Sequence, residues 1–259
     1  MQLRHISRFS LLVALLSLLG SAPAFAGLVT FTDNAFTDLA SYTTTTPYLS
    51  DSSITLTDGE CATCGSSGGT ALQISSATDG TGTAGTGFSD ILFVNPAFSY
   101  NPATQGAIVS ISASVDKDLI TSYAAGDPYG STFRPLIEQD GIYYLAAIVG
   151  PSLTSGATTG YNILSQSGLV AASFLSYNPA TNTFGTASPN FSGDPMLFGL
   201  AQVFSLGEIG TPITLTADYN ALSLQLSTAP EPSSLLLLAL GLAGLLAISR
   251  RKPANKDIA

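Results

Sequence analysis

Between residues 107 and 116 apolar and polar positions alternate: Val109, Ile111, Ala113 and Val115 form one set, and Ser110, Ser112, Ser114 and Asp116 the other. Leu222, Leu224 and Leu226 alternate in the same way with Ser223, Gln225 and Ser227. A period of two puts each set on its own face of a strand, so both segments predict strands with one buried and one wet face. Further short runs of β-branched or aromatic residues, separated by Gly, Pro, Asn, Asp and Ser clusters, fall at 28–31, 54–57, 71–74, 91–94, 133–139, 142–149, 170–176, 196–202 and 213–217. About eleven strands result. Many one-faced strands are most simply buried by packing two antiparallel sheets together. The fold expected for 27–229 is therefore all-β, an antiparallel two-sheet jelly-roll-like sandwich, ahead of an immunoglobulin-like sandwich or a solenoid. One hexapeptide occurs twice, at 99–104 and 176–181, each time Ser-Tyr-Asn-Pro-Ala-Thr. Asn-Pro is a turn signal, and two similar strand-ending turns are favoured over a duplicated binding loop.

The two ends follow a different pattern. Arg4 and Arg8 precede an apolar run at 9–19, and Ala24-Phe25-Ala26 supplies the small residues of a cleavage site, so 1–26 reads as a secretory signal peptide. At the other end Pro230-Glu231-Pro232 precedes a leucine-rich stretch at 233–249 that stops at Arg250-Arg251-Lys252. That stretch is just long enough for a membrane-spanning helix, and the basic stop keeps the short tail at 253–259 in the cytoplasm. The domains expected are thus the signal peptide, a passenger at 27–229, and a sorting segment at 230–252 that anchors the passenger in the membrane.

Pro230-Glu231-Pro232-Ser233, the apolar stretch and Arg250-Arg251-Lys252 together resemble the PEP-CTERM sorting-signal proteins. The resemblance implies an exosortase partner in a Gram-negative bacterium, with passage from inner-membrane anchorage to the cell surface or extracellular space, often alongside exopolysaccharide and biofilm production. The passenger is also similar to a recurrent PEP-CTERM type with a concanavalin-like or jelly-roll sandwich. That similarity lies in the runs at 101–108, 137–144, 165–169 and 217–220, and implies no catalytic residues.

Composition narrows the chemistry. All but two of the seventeen acids lie in the passenger, but only Lys117 and Arg134 of the eight cations do. Two cations cannot form the basic stripe that phosphate recognition needs, so nucleic acid is not an expected partner. The single histidine, His5, belongs to the signal peptide, so the passenger lacks the imidazole required by histidine triads and histidine-ligated zinc or iron. Tryptophan is absent, leaving tyrosine and phenylalanine as sugar-stacking groups.

Several motifs fall within the passenger. Cys61 and Cys64 sit in a Gly/Ser-rich loop of an exported chain and are expected to form a local disulfide rather than a redox or zinc pair. The run Gly80-Thr81-Gly82-Thr83-Ala84-Gly85 has dinucleotide-fingerprint spacing but no helix after it, and is read as a loop. Ser114 and Lys117 match a serine-x-x-lysine pattern, but residues three apart on a strand face opposite ways. Asp116 and Asp118 share a face at a strand end. They are candidates for calcium, against a solvated edge as the commoner case and a catalytic pair as the rarer one. Asp127, Glu138, Asp140 and Asp218 are similarly ambiguous, and Tyr123, Tyr129, Tyr143, Tyr144 and Tyr219 offer either sugar platforms or half-buried packing.

The function expected is that of a noncatalytic surface or matrix protein associating with extracellular polysaccharide, with no cofactor beyond possible calcium. The alternatives are a carbohydrate-active enzyme using two carboxylates about 5 Å apart and a purely structural coat protein or adhesin.

Overall fold

The computed structural model describes residues 27–83, 85–121, 129–147, 152–154, 160–229 and 242. The segment 1–26 expected to be a signal peptide, the apolar stretch at 233–249 other than Leu242, the motif residues at 230–232 and 250–252, and the tail at 253–259 lie outside them. Among the described residues no helix is long and apolar enough to cross a membrane.

Two antiparallel sheets account for the fold, their strands numbered in chain order. The six-stranded sheet runs β11 (Asn162–Leu169), β7 (Ile108–Thr121), β15 (Pro212–Thr228), β5 (Ala71–Asp79) and β4 (Ile54–Cys61), with β1 (Gly27–Asp33) also on β15. The nine-stranded sheet runs β13 (Thr183–Phe184), β12 (Phe174–Asn178), β9 (Ile142–Ala146), β8 (Gly130–Gln139), β14 (Met196–Glu208), β6 (Thr86–Tyr100) and β2 (Thr43–Thr44). In it β10 (Ser152–Thr154) adds to β8 and β3 (Tyr48–Leu49) to β6.

Period-two alternation places the core. Ile111, Ala113 and Val115 on β7, and Leu222, Leu224 and Leu226 on β15, face Phe93, Phe133, Phe198, Leu200 and Phe204 of the larger sheet across one buried cluster. Between the sheets Ser76 and Ser89 hydroxyls meet at 2.7 Å, so the few polar side chains there are paired.

Two details depart from the expected pattern. Val109 is 55% exposed and Ile108 is buried, because the pairing of β7 with β15 shifts register between Ser227 and Thr228. The shift moves the inward position back by one residue. The segments 213–217 and 222–226, read as two strands, are one strand: β15 crosses a bulge at Asn220, where its neighbour changes from β5 to β1.

The repeated hexapeptide forms two similar turns. Asn101 Oδ1 accepts from the Ala103 N–H at 3.1 Å, and Asn178 Oδ1 accepts from the Ala180 N–H at 3.0 Å. The first turn continues into a one-turn helix, α1 (Pro102–Gln105), and the second into the β12–β13 hairpin. Asp140-Gly141 closes the β8–β9 hairpin with both residues at positive φ, 55° and 74°, the geometry for which Asp-Gly is suited.

Candidate functional site

The outward positions of the six-stranded sheet carry hydroxyls, amides and carboxylates. Ser110, Ser112, Ser114, Asp116 and Asp118 project from β7, Thr214, Thr216, Asp218, Ser223 and Gln225 from β15, and Gln73 and Ser75 from β5. A trough of about 200 Å³ is lined by Ser112, Ser114, Ser165, Gln166, Ser167, Ser223 and Gln225. It opens where β11 is bulged between Gln166 and Leu169. Gln166 Oε1 is buried there with no hydrogen-bond partner among the described residues. A second polar hollow of about 140 Å³ lies across β4 and β5, between Thr57, Asp58, Glu60, Gln73 and Ser75.

Between these hollows the acids gather under a cover. Asp118 on β7 stands directly opposite Asp218 on β15. Asp218 is only 2% exposed, and its Oδ1 accepts from Gln73 Nε2 at 3.0 Å. Burial pushes the Asp218 carboxyl up, Gln73 pulls it down, and the charge of Asp118 adds a smaller upward push. The Tyr161 hydroxyl donates to the Cys64 carbonyl, and burial followed by the charges of Asp218, Asp118 and Asp116 raises its pKa. Cys61 and Cys64 are joined through their sulfurs with Cα atoms 5.5 Å apart. The following loop turns back onto the sheet: Asn220 Oδ1 accepts from the Ser66 N–H at 3.1 Å. A side chain at Gly65 would place its Cβ 2.7 Å from that oxygen, so only glycine permits the approach.

Asp116 and Asp118 do share the outward face of β7. Burial raises Asp116, with Asn220 as its hydrogen-bonding partner in the opposite sense. Asp118 Oδ1 accepts from the Leu119 N–H at 2.8 Å. No group of three or more His, Cys, Asp or Glu side chains is brought together to hold a metal among the described residues. Ser114 lines the outer trough whereas Lys117 lies fully buried between the sheets, so the serine-x-x-lysine spacing unites nothing.

Of the two roles weighed for the tyrosines, sugar platform and packing, the described ones take packing. Tyr129, Tyr144 and Tyr219 are buried in the inter-sheet core and Tyr143 packs partly buried against a second apolar cluster. Their alternation places them on faces already filled by packing. Tyr123 and Asp127 lie outside the described residues, Glu138 is half-buried on the larger sheet, and Asp140 is exposed in its hairpin.

Sequence reasoning missed a cluster on the outward face of the nine-stranded sheet. Asp90 on β6 is 1% exposed, and its Oδ2 accepts from the Tyr177 hydroxyl. Its Oδ1 is buried without a partner among the described residues. Burial pushes the Asp90 carboxyl up to about 6, against Tyr177, the Tyr48 backbone and Arg134, which pull it down. Arg134 donates to the Ala146 carbonyl at 3.1 Å and stacks 5.2 Å from the Phe184 ring. A period-two reading passes over Asp90 because it stands beside the apolar run at 91–94.

Residues 228–252 match the PEP-CTERM protein-sorting motif. No curated protein sequence matches the chain. Among solved structures the fold is similar to a carbohydrate-binding module of the β-sandwich superfamily, at 9% identity over 76% of this chain and 74% of that one, with a TM-score of 0.37. It is also similar to the winged bean acidic lectin complexed with methyl-α-D-galactose, at 10% identity, 78% and 99% coverage and a TM-score of 0.32. An exo-β-agarase gives 12% identity, 71% and 23% coverage and a TM-score of 0.30. Likenesses at these scores carry no inference about ligand or activity.

Proposed function

We propose that this is an exported, exosortase-sorted module that associates noncatalytically with extracellular polysaccharide through the outward face of its six-stranded sheet. The PEP-CTERM motif at 228–252 carries the address, and through it the expected inner-membrane anchorage and transfer to the surface. The observation that supports the binding face is the trough around Ser112, Ser114, Ser165, Ser223 and Gln225, with Gln166 Oε1 buried and unsatisfied within reach of it. A sugar presents closely spaced hydroxyls that both donate and accept, and a surface of hydroxyls and carboxamides answers them without the desolvation cost of a charge. The Cys61–Cys64 loop fixes one border of that face, and its bond belongs to the oxidising exterior.

A second reading, a carboxylate-dependent carbohydrate-active enzyme, has the opposed pair Asp118 and Asp218 in its favour. Asp218 at 2% exposure, bonded to Gln73, offers no open cleft for a glycosidic bond, and binding is the better account. A calcium role for Asp116 and Asp118 would rest on two carboxylates on one face of β7, with no third acidic ligand gathered around them among the described residues.

Retention of the exported protein on the producing organism's own exopolysaccharide, with calcium and with chelator, tests the reading. Retention without sugar release is expected. Release of sugars overturns it in favour of the enzyme, loss in chelator assigns calcium to the acidic strip, and no retention in either condition leaves a structural coat or adhesin.

A further inference from the structure

Lys117 is one of two cations in the passenger and is 0% exposed at the centre of the sandwich. Its Nζ donates to Gln202 Oε1 at 2.8 Å. No carboxylate meets it among the described residues. The Tyr219 hydroxyl donates to the same Oε1, and the Lys117 Nζ lies 4.9 Å from the centre of the Tyr219 ring. On the other side of the carboxamide, Gln202 Nε2 donates to Ser131 Oγ at 2.9 Å and to the Val203 carbonyl at 2.8 Å. Gln202, Tyr219 and Ser131 are each 0% exposed, as Lys117 is. An amine that could reach water from almost any surface strand is instead held against one amide in a dry interior.

We infer that Lys117 and Gln202 close an intramolecular amide cross-link between the two sheets, with Nζ replacing the carboxamide nitrogen of Gln202 and ammonia leaving.

Each part of that substitution is present. Burial pushes the Lys117 amine well below the ordinary lysine range, which favours the neutral form whose lone pair can attack. Cδ lies one C=O bond, about 1.2 Å, beyond Oε1. Side-chain rotation rather than strand movement therefore brings Nζ to the attack distance of about 3–3.5 Å. The lone pair forms the Nζ–Cδ bond, and the carbonyl pair moves onto Oε1, where the Tyr219 hydroxyl stabilises it as a donor in an oxyanion hole does. On collapse the Cδ–Nε2 bond breaks, one Nζ proton passes to Nε2, and the nitrogen leaves as ammonia. Ser131 Oγ accepts from Nε2 and holds the leaving nitrogen in place. Atoms and charge balance with no oxidant, reductant or other reactant.

The product is a second covalent tie of a different kind from the disulfide. Cys61 and Cys64 are three residues apart, whereas Lys117 and Gln202 are 85 apart and belong to different sheets. A cross-link that closes the longer loop constrains the unfolded chain more.

Mass spectrometry of the full chain recovered from the cell surface or medium tests this. The expected result is an intact mass lower by one ammonia and, after proteolysis, a branched peptide joining the β7 segment at Lys117 to the β14 segment at Gln202. Linear peptides with both side chains intact, from protein whose circular dichroism shows the folded sandwich, overturn the proposal. Lys117→Met, which keeps an unbranched buried side chain, is expected to retain the ammonia mass. Loss of that mass in Lys117→Met assigns the change to another pair and overturns the proposal. Tyr219→Phe is expected to slow cross-link formation in newly synthesised protein, followed by intact mass from the time of first folding, by about a hundredfold, and an unchanged rate overturns its role as the activating donor.

Discussion

Gln225 and Leu136 both point away from the sandwich interior, one on each sheet, yet Gln225 is exposed and Leu136 is 0% exposed. Around Gln225 the outward face is serine, threonine, glutamine and aspartate. Around Leu136 it is Leu92, Val94, Leu145, Ala201 and Tyr177, packed with Tyr143 and Leu197 into a cluster of their own. The six-stranded sheet thus has one dry face and one wet one, while the nine-stranded sheet is dry on both over part of its area. A face that is already packed stabilises the fold, and a face left wet and polar is the one available to a ligand. If this division is correct, substitutions on the two faces will separate stability from retention.

The largest expected effect is at the larger sheet. Leu136→Ala removes wholly buried methyl groups and leaves a cavity, and should lower the free energy of unfolding by about 2–5 kcal/mol. Urea denaturation followed by circular dichroism measures it. Retention on polysaccharide, compared at equal concentrations of folded protein, should not change. A drop in retention would move the binding face to the larger sheet and break the comparison.

The same contrast explains what could be read in advance. β7 and the second half of β15 were legible because a wet face imposes alternation. The run Ile91-Leu92-Phe93-Val94 is buried on both sides, so its length was underestimated: it lies inside a strand reaching from Thr86 to Tyr100. Val109 and the break at Asn220 were misread because a bulge shifts register without leaving a compositional trace in the strand. The serines of the trough were legible as a wet face, but not as a hollow, which arises from the bulge in β11. The alternation of β7 carries Lys117 onto the inward set with Val115 but gives it no partner, and Asp90 carries no local signal. Each sits in a strand at a position whose neighbours are ordinary, and only the partner strands show that Lys117 meets Gln202 and Asp90 meets Tyr177.

A smaller effect, dependent on pH, sharpens the contrast from the side of Asp90. Its carboxyl titrates near 6 in the fold and near 4 in the unfolded chain, so the folded state holds the extra proton between those values. Stability from this group is fully present below about pH 4 and is lost as pH rises through about 6. On going from pH 7 to pH 5, the wild type should gain about 1 kcal/mol relative to Asp90→Asn. Lys117 is unchanged in that comparison, which matters because a free buried amine loses stability as pH falls while a cross-linked nitrogen does not titrate. Equal pH slopes for wild type and Asp90→Asn would show that the Asp90 carboxyl titrates as it does in water, and with it that this outward face is open to solvent.

The smallest effect on stability is expected to accompany the clearest effect on function. Gln225→Ala and Ser114→Ala each remove a polar group from the wet face, where the side chain has water as its alternative partner, and should shift unfolding by no more than about 0.5 kcal/mol. A hydrogen bond to a sugar hydroxyl contributes about 0.5–1.5 kcal/mol net, so each substitution should weaken retention roughly twofold to tenfold. Because both residues line one trough, the double variant tests whether they serve one ligand: coupled losses belong to a shared sugar, and additive losses to separate contacts. Undiminished retention in the double variant, with Leu136→Ala also neutral, would exclude both outward faces at these positions. The acidic strip under Tyr161 and the Cys61–Cys64 loop would then be the part of the smaller sheet still able to meet a polysaccharide, and Asp118→Asn, which spares the buried Asp218, would be the variant that decides it.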